Sequence, residues 1–130
     1  MGQKKFALQP LLEQRRHNEN LRRGALAQAY RARDVTIERC TILERRCDAA
    51  GTALVRAASE GRTAEARAYD EMLGDSGGLR LRRGAEMRAH DTAIAVAAAA
   101  LTIANRERRT LERLRERLEA RRMRRRDDDD

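Results

Sequence analysis

Apolar residues recur at intervals of three and four along two long stretches of the chain. In the first, Cys40, Cys47 and Leu54 share one heptad position, and Leu43, Ala50 and Ala57 share the other. This is the pattern of a coiled-coil seam. Carried backwards, the register meets Leu26, Ala29, Arg33 and Thr36, a poorer stripe from which Val35 and Ile37 fall away. A drift or stutter of the seam is predicted there. In the second stretch Met87, Ile94 and Leu101 repeat at seven, with His90, Ala97, Ala104, Leu111 and Leu118 between them. The first of these rows then meets Arg108 and Arg115, which are poor core residues. Leu114 is expected to take over, shifting the seam near Asn105–Arg109.

The punctuation between these stretches sets the expected organisation. Pro10, the sole proline, suits a first helical turn. The one dense glycine cluster, Gly74-Asp75-Ser76-Gly77-Gly78, is read as the sharp turn of a hairpin. Ser59-Glu60-Gly61 is a candidate end for the first long helix, and Thr63 a candidate cap for a short helix after it. The expected layout is a single all-α helical hairpin over 1–130. It has a first arm at 7–60, a short tip helix at 63–73, a Gly-rich turn at 74–78, a second arm at 79–126 and an acidic tail at 127–130. Neither arm buries enough alone, so the arms should pack on each other as a long antiparallel two-helix coiled coil. The four terminal aspartates sit at the negative end of a helix dipole and are expected to fray.

Composition sharpens this picture. Hydrophobic residues make up 41% of the 130 residues and aromatics only 2%, with alanine supplying over a third of the apolar count. That favours a narrow interhelical seam over a compact core fed by aromatics. Charged residues reach 38%, as suits a thin helical structure with much solvated surface. The net charge of +8 is unevenly placed. Residues 1–60 carry 12 basic and 7 acidic side chains, 61–105 carry 6 and 6, and 106–126 carry 11 and 4, before Asp127–Asp130. Pairing the first and last segments in a hairpin gathers positive charge at its open end. An acidic protein partner, nucleic acid or an anionic membrane surface would each respond to it.

Candidate chemistry is sparse. Two serines and two histidines lie in no motif of nucleophilic catalysis, and Cys40, Cys47, His17 and His90 lack zinc-ligand spacing. The Gly74–Gly78 cluster lacks the Lys-Ser/Thr and the preceding strand of a phosphate loop. No catalytic, cofactor-binding or metal site is expected, nor any small-molecule substrate. Cys40 and Cys47 lie about 10 Å apart along one helix, too far for a mutual disulfide, and no apolar leader precedes them, which points to the cytosol. The apolar run Ala93–Ala104 is shorter than the roughly 20 residues of a membrane span. Arg106–Arg126 is basic enough to raise nucleic acid, but no aromatic platform interleaves its arginines and four glutamates lie among them. A solvated or protein-binding face is preferred.

The two ends together resemble a known family. Lys5-Phe6-Ala7-Leu8-Gln9-Pro10-Leu11-Leu12-Glu13-Gln14-Arg15-Arg16, followed by Glu19, is similar to the opening of the flagellar export protein FliJ family: a short Phe-x-Leu entry, then Leu-Leu and an arginine-rich helix. Arg109-Thr110-Leu111-Glu112-Arg113-Leu114-Arg115-Glu116-Arg117 resembles that family's C-terminal Leu-Glu-x-Leu run. The resemblance spans the chain in architecture and about 25 residues in motif, and the centre departs most from the family pattern. It implies a non-enzymatic component of the flagellar type III protein export apparatus, folded like the central-stalk coiled coil of rotary ATPases. The implied partners are the hexameric export ATPase, the membrane export gate and export chaperones. The implied location is cytoplasmic, peripheral to the inner face of the cell membrane at the flagellar base. On that reading Arg15, Arg16, Arg22, Arg23, Arg109, Arg113 and Arg117 are the expected ATPase contacts. Tyr69, Met72 and Leu73, at an expected neutral tip, are the expected gate contacts. A basic nucleic-acid-binding coiled coil and an injectisome stalk or adaptor are the alternatives.

Overall fold

A computed structural model describes residues 6–129, all helical apart from the entry and one turn. Helix α1 spans Gln9–Ser59 and helix α2 spans Thr63–Asp129. The two long helices pack against each other as an antiparallel pair. By contacts the chain divides into two units, Met1–Gln28 with Ile94–Asp130, and Ala29–Ala93. The first unit pairs the start of α1 with the end of α2, and the second is a helical hairpin. Lys5 at the head of the FliJ-like segment, and Asp130 of the tail, lie outside the described residues.

The turn sits at Glu60–Arg62 rather than at Gly74–Gly78. Gly61 adopts a left-handed φ of 73°, a conformation that costs a side-chain-bearing residue energy. Arg62 N–H donates to Ala57 C=O at 2.9 Å and Gly61 N–H to Ala58 C=O at 3.3 Å. Together these form a Schellman motif, which occupies the carbonyls left unpaired at the end of α1. Arg62 then bridges Glu60 and Glu65, each at 2.7 Å. The expected separate helix at 63–73, turn at 74–78 and arm at 79–126 are therefore one helix.

Gly74–Gly78 stays helical because the seam runs through it. Leu73 and Ser76 occupy successive seam positions, Leu73 half-buried and Ser76 buried. The Ser76 hydroxyl donates to Leu73 C=O at 2.6 Å, so its burial leaves no unmet polar group. Packing of the seam outweighs the weak helix propensity of the three glycines.

The seam itself never shifts. On α1 the buried and half-buried residues follow one unbroken seven-residue row, Leu12, Glu19, Leu26, Arg33, Cys40, Cys47 and Leu54. Its companion row holds Arg15, Ala29, Thr36, Leu43, Ala50 and Ala57 and is interrupted at Arg22, which is exposed. Val35 and Ile37 are exposed, so the expected stutter is absent. On α2 the row Ile94, Leu101, Arg108, Arg115 is likewise half-buried throughout, and Leu114 stays exposed. The expected shift near Asn105–Arg109 does not occur, because Arg108 finds an acid in the opposite helix. Asp127–Asp129 also remain in α2; Arg124–Arg126 stand three and four residues before them, the spacing at which opposite charges on a helix attract.

Candidate protein-interaction site

The unit built from 6–28 and 94–129 concentrates the charged chemistry. Glu19 is 2% exposed although it is ionisable. It survives in the seam because three donors converge on it. Arg108 Nε–H donates to one carboxylate oxygen; Arg23 at 2.6 Å and Asn105 at 3.3 Å donate to the other. Arg108 also reaches Glu112 at 2.7 Å, and Glu112 accepts from Arg16 of α1 at 3.1 Å. On the opposite side of the seam Arg15 pairs with Glu107 at 2.8 Å.

This network sets the protonation states. The Arg108 hydrogen bond holds the Glu19 carboxyl below the usual carboxylate range, against a burial that would raise it. At Glu112 burial again pushes upward, and the hydrogen bonds and charges of Arg16 and Arg108 outweigh it, so the carboxyl is lowered. Arg108 is raised, chiefly by its bond to Glu19. All three groups are therefore charged at neutral pH, and the network is structural glue with no proton in play.

The seven arginines singled out from the sequence separate into two groups. Arg15, Arg16 and Arg23 are committed to carboxylates of this chain. Arg22, Arg109, Arg113 and Arg117 are exposed, and no ion pair among the described residues includes them. Residues 6–28 and 94–129 together carry 15 basic and 9 acidic side chains.

The hairpin unit places Tyr69, Met72 and Leu73 differently from a tip cluster. Tyr69 and Leu73 are half-buried on the α2 seam, while Met72 points off it and is exposed. Tyr69 lines a shallow groove with Ala49, Thr52, Ala53, Arg56, Arg62 and Glu65. The apex is the charged Glu60–Arg62 turn, and Met72, ten residues beyond it along α2, is the one exposed member of the group. In the same unit His90 lies on the seam and meets Thr36 at 2.8 Å. The Thr36 hydroxyl also reaches Ala32 C=O at 3.3 Å, and which of Thr36 and His90 donates to the other is set by the imidazole tautomer.

Sequence reasoning missed Glu19, Asn105 and Arg108 as partners. The signal was present: the heptad rows, extended strictly by seven, place an acid at Glu19 on one helix and a base at Arg108 on the other. Among the described residues no helix is long and apolar enough to cross a membrane, and no three metal-binding side chains converge. No protein-family model, curated protein or solved structure matches the chain.

Proposed function

We propose that this chain is a non-enzymatic coiled-coil component of the flagellar type III protein export apparatus, linking the export ATPase to the membrane export gate and handling export chaperones. The observation that carries the reading is the pairing of α1 and α2 in the unit of residues 6–28 and 94–129. There the two FliJ-like segments lie on partnered helices, and four exposed arginines of this unit, Arg22, Arg109, Arg113 and Arg117, are in no ion pair among the described residues. A guanidinium presented this way pairs bidentately with a carboxylate, the contact a basic coiled coil would make with the acidic inner wall of a hexameric ring. The protein then works at the cytoplasmic face of the membrane at the flagellar base, held there by its partners.

The direct test is the ATPase activity of the cognate hexamer with and without the full chain. Binding with stimulated turnover is the expected result; a hexamer that neither binds the chain nor changes rate ends the proposal. Flagellar ATPase and hook genes beside this one would separate it from an injectisome counterpart.

A further inference from the structure

A second apolar stripe runs along the outside of the unit of residues 6–28 and 94–129. The Arg16–Glu112 and Asn105–Glu19 contacts lie on one flank of the seam and the Arg15–Glu107 pair on the other. Ala100 stands one heptad before Glu107 on this second flank, and Val96 and Ile103 stand four before and three after Ala100. On α1, Ala25 lies on the same flank, with Leu21 four residues before it. The i, i+4, i+7 spacing is that of an amphipathic face, yet Leu21, Val96 and Ile103 are 59%, 65% and 56% exposed. Two helices of an antiparallel pair thus offer their apolar flanks toward one side.

The charge along that flank identifies the occupant. Beyond Ile103 the stripe on α2 passes Glu107, which is paired with Arg15, and Thr110, then continues through Leu114 to Arg117 and Arg121, with Arg106 and Arg113 along its outer edge. All four arginines are exposed, and none is in an ion pair among the described residues. We infer that this flank is a docking groove for one amphipathic helix of a partner protein, apolar along the stretch beside Leu21, Val96 and Ile103 and acidic beside Arg106–Arg121. A third helix in that position seats apolar residues between the two flanks, as helix-in-groove recognition does, and its carboxylates meet unpaired guanidinium groups. A second copy of this chain fits poorly, because it brings the same positive charge to the contact.

Arg113 and Arg117 are shared with the proposed ATPase contact, so the test contains no ATPase and its failure is read separately from the failure of that reading. The full chain is titrated against fluorescently labelled helical peptides of roughly 25 residues, the length that spans Val96–Arg121 at 1.5 Å per residue. One peptide carries a Leu/Ile stripe at i, i+4, i+7 followed by a glutamate-rich half, a second has the same composition scrambled, and a third replaces Glu by Lys. The striped acidic peptide should bind, and the others at least tenfold more weakly. The V96Q/I103Q variant, which keeps charge and alters only exposed positions, should lose at least tenfold while its circular dichroism melt stays unchanged. R113Q/R117Q should lose affinity and flatten its salt dependence. The inference is overturned if the striped peptide does not bind, if the scrambled peptide binds equally well, or if V96Q/I103Q binds like the parent. Dimerisation of the parent chain, or its binding to duplex DNA, that V96Q/I103Q abolishes would assign the groove to a second copy or to nucleic acid instead.

Discussion

Glu19 of α1 and Arg108 of α2 meet inside the seam through a charged hydrogen bond, each in a row otherwise held by residues such as Leu12, Leu26, Ile94 and Leu101. The pair is satisfied on both sides: Arg23 and Asn105 complete the carboxylate, and Glu112 takes the remaining reach of the guanidinium. A polar pair in a hydrophobic seam costs stability but penalises every register in which it would face a leucine. In a seam as alanine-rich as this one, where apolar layers differ little from each other, such a pair gives the start of α1 and the end of α2 one preferred alignment.

Removing one partner should therefore cost more than removing both. Glu19→Gln or Arg108→Leu alone is expected to lower stability by about 1–3 kcal/mol by leaving a desolvated group short of its partner. A double-mutant cycle in urea should return a coupling of about 0.5–3 kcal/mol. Glu19→Leu/Arg108→Leu together should be neutral or more stable by about 1–4 kcal/mol. Additive single effects in the cycle would show that the pair is not a unit.

The same network predicts acid sensitivity. Glu19 and Glu112 are both held below the usual carboxylate range, so each binds protons less readily in the folded chain than in the unfolded one. Their stabilisation is complete above the unfolded pKa of about 4.3 and is lost as pH falls through the lower folded value. Thermal melts followed by circular dichroism should be level from neutral pH to about 5 and decline below about 4. Glu19→Gln should melt lower at neutral pH and show a shallower acid limb. Parallel acid limbs in parent and variant would place the sensitivity elsewhere.

How much of this was legible follows from which signal each feature leaves. The all-α hairpin and the seam from Cys40 to Ala57 were readable because a seven-residue repeat is a direct imprint of helix pairing. The end of α1 at Ser59 was also visible in Ser59-Glu60-Gly61. The turn was misplaced because glycine density is a local cue, whereas a single glycine in a left-handed conformation suffices for a Schellman motif and a seam can carry a helix across three glycines. The expected shift at Arg108 failed for a related reason: hydropathy alone scores an arginine as a core defect and cannot see the acid opposite it. The division of seven candidate arginines into bonded and free ones depended on interhelical register, which one sequence does not spell out.

That division yields a functional prediction. Arg22→Ala, Arg109→Ala, Arg113→Ala and Arg117→Ala combined should leave the melting temperature nearly unchanged, since exposed unpaired charges contribute little to stability. Under the proposed function, the same variant should weaken association with the export ATPase severalfold, with a reduced dependence on salt. Arg15→Ala/Arg16→Ala should instead lower the melting temperature, because each breaks an interhelical ion pair. Calorimetric melts beside ATPase pull-down at two salt concentrations read both effects. Equal loss of stability in the two variants would overturn the assignment.

Glycine substitutions distinguish the two candidate turns by sign. A Cβ built on Gly74, Gly77 or Gly78 meets nothing within 4 Å, and all three lie inside α2. Replacing each by alanine removes unfolded-state freedom at no steric cost and should stabilise by about 0.5–1 kcal/mol. At Gly61 space is equally open, but φ is +73°, so Gly61→Ala should destabilise by about 1–2 kcal/mol and loosen the Arg62 N–H to Ala57 C=O bond that ends α1. Chemical denaturation of the four single variants measures both signs. A stabilised Gly61→Ala with destabilised Gly74, Gly77 and Gly78 variants would move the turn back to the glycine cluster. The expected pattern fixes it at Glu60–Arg62, where a backbone motif and two ion pairs hold the chain's reversal.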